Sequence, residues 1–411
     1  MIFSLEGGGD CAQHGRESVA VKNFMKTNIL AGLVLAGVTC FAAEVPEPKF
    51  RAVTIDDKIQ IGYGVATADV DGDGKLDIVL ADKTQFVWYR NPTWEKFVLA
   101  ENLTKLDNVC IAARDIDGDG KAEIAVGAGW NPNDTTGSGA VFYLVAPKDR
   151  TQKWEAIALP HVPTIHRMRW IETPRLGFEL LSVPLHGYGN KNGEGEGVPL
   201  MTYRKPADPH QPWITNVIVR EWHKTHNFEA NGSAILVAAR EGIFGLTHGP
   251  EKNSSRLLAT NDVGGMGEVR AGRVGKSVAF LTAVEPMHGT NLALFTAPVS
   301  GELGDVRWNR RVLDSSLADG HALACGDLLG LGRDQIVVGW RAMGSKARVG
   351  LKLFTPLAND LKEWRTTLVD DNGMACEDLC LADLNGDGKL DIIAAGRATK
   401  NVKIYFNESA R

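Results

Sequence analysis

The chain lacks most of what would mark a helical or nucleotide-handling protein. After residue 44 no segment repeats its apolar residues at helical spacing. There is no phosphate-binding glycine loop, no dinucleotide fingerprint and no Gly-x-Ser-x-Gly nucleophile turn, so nothing points to nucleotide, hydride or serine-ester chemistry. Lys and Arg form no cluster and the net charge is −5, so no nucleic-acid partner is expected. The longest apolar run, residues 29–38, is too short to span a membrane. Only four cysteines follow residue 44. Cys110, Cys325, Cys376 and Cys380 sit in apolar strand-like stretches and read as buried free thiols.

What is present is β-structure. A hydrophobic content of 44% and a charged content of 23% are those of an ordinary globular chain. Short β-branched runs are broken by Gly, Asn, Asp and Pro, an all-β pattern. Residues 25–42 read as a secretory signal: Met25-Lys26, the apolar run, then small residues at Cys40 and Ala42. Residues 1–24 would be an extension ahead of the true start, and the mature domain would cover 44–411. The expectation is export to the periplasm or the exterior. Cys40 offers a lipid anchor as an alternative, although Thr39 before it suits that poorly.

One unit recurs. Residues 68–80, 114–126 and 382–394 share the form Asp-x-Asp/Asn-Gly-Asp-Gly-Lys-x-Asp/Glu, and 326–338 is a degenerate copy. Alternating carboxylates followed by a lysine carbonyl make the first part of an oxygen-ligand calcium loop. The expected ligands are Asp69, Asp71, Asp73 and Asp77; Asp115, Asp117, Asp119 and Glu123; and Asp383, Asn385, Asp387 and Asp391. The acid at the ninth position replaces the usual Glu at the twelfth, which suits a loop between strands. The copy at Asp327 has Leu329 and Leu331 in ligand places and should not bind metal. The plainer alternative is that all four are Asp-Gly turns.

A second repeat has an aromatic residue opening a strand: Phe50, Trp94, Trp154, Trp213, a weak copy at Asn253, Trp308 and Trp364. The spacings of 44, 60, 59, 40, 55 and 56 residues suit four-stranded propeller blades. Each blade reads as strand A, the Asp-Gly loop, then strands B, C and D. The last blade supplies A, B and C only, and Phe50–Ile55 is its missing outer strand. The expectation is an all-β, seven-bladed β-propeller closed by its N-terminal strand.

The acidic copies at 69, 115 and 383 resemble FG-GAP or VCBS repeats, the calcium-bearing units also found in integrin α-subunit propellers. The stretch Pro184-Leu-His-Gly-Tyr-Gly-Asn-Lys-Asn-Gly-Glu-Gly195 and the blade histidines resemble the propeller part of fungal aldos-2-ulose dehydratase and its exported bacterial relatives.

Blade topology puts the calcium loops on one face and the D–A and B–C loops on the other. Seven of the nine histidines after residue 44 fall in the second set. His166, His226 and His321 should point into the channel mouth. His186 and His288 should approach from farther out, with Arg341 as fixed charge beside them and Gly187–Gly197 as a loop over the mouth. Any one loop histidine is ordinarily a solvated surface residue, but several on one face make a candidate site.

Two functional classes follow. In the first the chain is a carbohydrate lyase or dehydratase. A histidine or Tyr188 would be the base, and Arg341 or a second divalent metal (Zn, Mn or Mg) held by histidines would stabilise the enolate. In the second it is a non-catalytic module that binds glycan or protein, with Trp130, Tyr188 and Trp340 as stacking platforms. A carbohydrate is the expected ligand in the first case and one of two in the second.

Overall fold

A computed structural model describes residues 45–191, 193–297 and 308–410. The proposed signal and the extension before it lie outside the described residues. Seven antiparallel four-stranded sheets account for every strand. Six blades run A to D in chain order, starting at Gly64, Cys110, Ile165, Thr225, Glu268 and Gly320. Blade 7 is composite: Cys376–Ala382, Asp391–Gly396 and Asn401–Asn407 are completed by Phe50–Asp56. Phe50 pairs with Asn407 and Thr54 with Lys403, so the first strand covers the edge that the last would expose. The A strands contact one another in a closed cycle, blade 1 against 2 and so on to 7 against 1, and enclose the channel.

The core follows from this ring. Blades bury both faces, so their middle strands read as continuous apolar runs such as Asp77–Ala81 and Glu123–Ala128. Seven apolar clusters fill the seven gaps between blades. Trp88, Phe86, Phe280 and Phe354 are fully enclosed there. Each such side chain contributes about 1.5–3 kcal/mol relative to exposure. The recurring tryptophan has a double role. The rings of Trp154, Trp213 and Trp364 pack between blades, while their Nε1–H groups bond the carbonyls of Arg150, Pro209 and Leu361 in the turn just before strand D.

The Asp-Gly loops are tight turns closed by their own carboxylates. Asp69 accepts the N–H groups of Gly72 and Gly74, both at φ of +83°, a region that glycine enters without strain. A Cβ on Gly72 would also strike Lys121 of blade 2. Asp77 accepts the N–H groups of Val70 and Asn91, and the Asn91 amide reaches the carbonyl of Leu384 in blade 7. Asn407 repeats this, bonding Leu328 of blade 6. These asparagines clip each blade to the loop of the one before. The degenerate copy keeps its shape with fewer acids: Asp327 accepts from Leu331 and Gly332, and Gln335 takes the place of Asp77 and accepts from Leu329.

The four cysteines after residue 44 are free thiols, and burial raises each well above its ordinary pKa.

Candidate functional site

The site is built from bulges. In blades 3, 4, 6 and 7 the pairing of strand A with strand B slips near its start. The residues left out of register are His166, His226 with Asn227, His321 and Glu377. A bulge frees a side chain from the two-residue alternation and re-aims it. Here it turns three imidazoles and a carboxylate toward the channel mouth. Nearby backbone is strained to match. Thr164 and Asp319, each two residues before a bulged histidine, and His288 all have φ between 55° and 63°.

A cavity of about 350 Å³ occupies the mouth. Its walls include Tyr63, His166, His186, His226, His288, His321, Arg341 and Glu377. Five of the seven expected catalytic residues are thus histidines sharing one space, with Arg341 as the sixth. The Nε2 atoms of His226 and His288 are 2.6 Å apart, and the ligand atoms of His226, His288 and His321 all lie within 4.8 Å of one another. The tautomers are set by main-chain acceptors. Nδ1–H of His226 donates to Gly267 O at 2.9 Å, that of His321 to Glu377 O at 2.5 Å, and that of His166 to His226 O at 2.7 Å. A carbonyl can only accept, so all three Nε2 atoms keep their lone pairs. His288 Nδ1 lies 3.3 Å from Arg341 Nη2 and 3.9 Å from Asp319 Oδ1. Both a donor and the acceptor that a metal-bound imidazole needs are therefore at hand.

Burial, before any neighbouring charge, holds His166, His226, His288 and His321 well below the usual histidine pKa; Arg167 and Arg341 push the same way. All four are neutral at pH 7. His186 is drawn down to about 4, first by burial and then by Lys224, and its buried Nδ1 has no hydrogen-bond partner.

Arg341 is committed. Nε and Nη2 take Asp319, at 2.9 and 3.4 Å, and Nη1 takes Glu377 at 2.7 Å; Arg397 holds the other Glu377 oxygen at 2.9 Å. Counting the Nη2–H that faces His288 Nδ1, four of its five N–H groups are so engaged, which fixes Arg341 against His288 and Glu377 and leaves one for the oxyanion contact expected of it. Tyr188 is the residue that does not join. It stands between Gly187 and Gly189, is 54% exposed and lines neither cavity at the mouth. Of the expected platforms, Trp130 stacks on His166 with centroids 4.8 Å apart. Trp340 does not serve: it ends strand B with its ring inside the blade 5–6 core and its Nε1–H on Arg348 O. Asn190, Lys191 and Gly193 of the Gly187–Gly197 loop edge a second cavity beside the first.

Tyr63, Arg167 and Glu377 were not anticipated. Tyr63 bonds Asp107 at 2.9 Å, and burial raises its hydroxyl, so it stays protonated. Arg167 follows His166 and donates to its Nε2 and carbonyl at 3.2 and 3.1 Å. The available signal was position: Glu377 stands where His166, His226 and His321 stand in their own blades.

On the opposite face, Asp69, Asp71 and Asp77 form one acidic group and Asp115, Asp117 and Glu123 another. Burial pushes both Asp77 and Glu123 up to about 7, and neighbouring loop acids add to the rise. A cation would relieve each group, so the donors fit a calcium ion. The third loop keeps the same turn, with Asp383 accepting from Gly386 and Gly388 and Asp391 from Leu384. The fifth-position acids are turned to backbone instead, Asp73 to Lys75 N and Asp119 to Lys121 N.

Residues 55–126 match the FG-GAP-like repeat, 111–144 the FG-GAP repeat, and 138–298 the β-propeller domain of aldos-2-ulose dehydratase. No curated protein matches. Among solved structures, the β-propeller domain of Cps50 (Swd1) from Myceliophteria thermophila is 10% identical with a TM-score of 0.52, covering 87% of this chain and 99% of that one. A chain of the mitotic checkpoint complex is 11% identical with a TM-score of 0.53, covering 92% and 99%. These likenesses concern the fold alone. The chain is a seven-bladed β-propeller with FG-GAP repeats that resembles the propeller domain of aldos-2-ulose dehydratase.

Proposed function

We propose that the channel mouth is the active site of a carbohydrate lyase, a dehydratase that eliminates water from a keto-sugar or uronate. The observation that carries this reading is the convergence of His226, His288 and His321, two with lone pairs fixed inward, in a cavity of sugar size. The match of residues 138–298 to a propeller domain of a sugar dehydratase supports it.

The three histidines would hold a divalent ion such as zinc or manganese, since an all-imidazole set does not suit magnesium; bound there, the ion would supply Lewis-acid stabilisation of an enolate. The chain's own groups do the rest. His186, neutral and lining the cavity, takes the proton next to the carbonyl. The electron pair left behind forms the new double bond as the β-hydroxyl departs, and that hydroxyl recovers a proton and leaves as water. Arg341 fixes His288, and Trp130 fixes His166 and offers its other face to a sugar ring. On the far face, the loops at 69–77, 115–123 and 383–391 would bind structural calcium.

The test combines elemental analysis with an ultraviolet assay for a new conjugated double bond, using keto-sugars and uronate oligosaccharides. A transition metal should co-purify, and His226→Ala and His321→Ala should lose it together with activity while still melting cooperatively. If the purified chain holds calcium alone and turns over none of these sugars, the binding-module reading replaces this one.

A further inference from the structure

Blade 5 breaks the pattern that builds the site. Its strand A starts without a slip, Glu268 pairing in register with Val284, and it contributes no histidine. His288, from the turn between strands B and C, fills that place. The Glu268 side chain, left in register, is buried beneath His226 at 1% exposure. Oε2 accepts the Asn227 amide at 2.6 Å and lies 3.7 Å from Arg270 Nη2. Oε1 accepts no hydrogen bond among the described residues, yet it lies 3.1 Å from His226 Nδ1. The N–H of that ring is aligned on Gly267 O instead.

A buried carboxylate oxygen without a donor is costly, and folded proteins keep few of them. An ion on His226 Nε2 would supply the missing donor. Coordination draws electron density out of an imidazole and makes its Nδ1–H a stronger donor, which gains more from a carboxylate than from a carbonyl. We infer that Glu268 is a positioning residue for the metal site: Oε1 takes the Nδ1–H of His226 when an ion occupies Nε2, locking the ring and raising the basicity of the ligand nitrogen. This rests on the reading that His226, His288 and His321 hold an ion, but on no reaction there. The other carboxylates at the mouth are spent. Asp319, 3.9 Å from His288 Nδ1, gives both oxygens to Arg341, and Glu377 divides its two between Arg341 and Arg397. Of the three, Glu268 is the one with an oxygen that no N–H has taken.

The test is zinc affinity, measured by competition against a chelator with excess calcium present to occupy the acidic loops. Glu268→Gln keeps the shape and still accepts from Asn227, but it then presents an amide NH2 to the His226 N–H. Zinc should bind about tenfold to a hundredfold more weakly. The metal-free variant should melt no lower than wild type, since the carboxylate oxygen without a donor is gone. A merely structural role would lower zinc affinity and metal-free melting together. Zinc affinity within about threefold of wild type, or a loss matched by a fall in metal-free melting temperature, overturns the inference. If Glu268→Gln fails to fold, Glu268→Asp decides. It keeps the charge but draws it back by one methylene, so zinc should again bind at least about tenfold more weakly, and wild-type affinity there overturns the inference. A wild type that binds no zinc at these histidines overturns the metal reading and this inference with it. A wild type that binds zinc, with Glu268→Gln binding it equally well, overturns this inference alone.

Discussion

Arg341 is the most heavily committed charge at the site, and its removal gives a sharp stability prediction. Its side chain is 7% exposed and holds two carboxylates, Glu377 at 3% and Asp319 at 16%. Arg341→Met keeps the volume and removes the charge. Glu377 then keeps one cation, Arg397, and Asp319 loses the guanidinium contacts described above. Breaking a buried pair by removing one partner costs about 3–5 kcal/mol. The lower end applies, about 3 kcal/mol, because Arg397 remains and Asp319 retains some water. A domain of this size unfolds with an entropy of roughly 0.75 kcal/mol per kelvin, so the melting temperature should fall by about 4 °C. Glu377→Gln alone should cost less, about 1–2 kcal/mol, since Arg341 keeps Asp319. The double variant R341M/E377Q should be less destabilised than the sum, because the stranded carboxylate is gone. Denaturant melts of the four proteins complete the cycle. A loss below about 1 kcal/mol in Arg341→Met, or strict additivity in the double variant, would refute the claim that this network is buried and coupled.

Two further outcomes are expected. Adding calcium to chelated protein should raise its stability by about 2–3 kcal/mol at a hundredfold excess over Kd, and Asp71→Ala should remove part of that gain; melting that ignores calcium would dismiss the loop reading. His248 and Glu179, 2.9 Å apart between blades 3 and 4, give a pH-dependent term. The bond to Glu179 raises His248, while burial pushes Glu179 up but the His248 bond and charge, Arg204 and Thr173 together outweigh it and leave Glu179 lowered. The His248 contribution is full below its unfolded value of about 6.5 and is lost as pH rises through the folded one; that of Glu179 is full above about 4.5 and is lost on acidification. The stability gap between wild type and His248→Gln should therefore be widest near pH 5.5, about 1–2 kcal/mol, and narrow by pH 9; a gap that is flat with pH counts against the pair.

The ring was legible because its signals are local and repeated. Trp154, Trp213 and Trp364 each mark a turn into strand D, and Asp-Gly loops mark the A–B turns, so blade number could be read from spacing. The histidine face was legible because strand order alone fixes which loops share a side. The bulges were not, since strands buried on both faces show no alternation in which a one-residue slip would register. Glu377 and Arg167 were therefore not singled out. Trp340 and Tyr188 were misplaced for a related reason: aromatic character says nothing of whether a ring at a strand end turns into the core or out to water.

The clips at Asn91 and Asn407 have a consequence for how the ring comes apart. Asn91 belongs to the first blade and grips the seventh; Asn407 belongs to the seventh and grips the sixth. Together with the first strand lying on the last sheet, they concentrate fastening at the seam where the chain's two ends meet. A circular arch fails at its weakest joint, and these bonds strengthen the joints on either side of the point of closure. Opening under force or heat should therefore begin elsewhere in the circle while the seam stays shut.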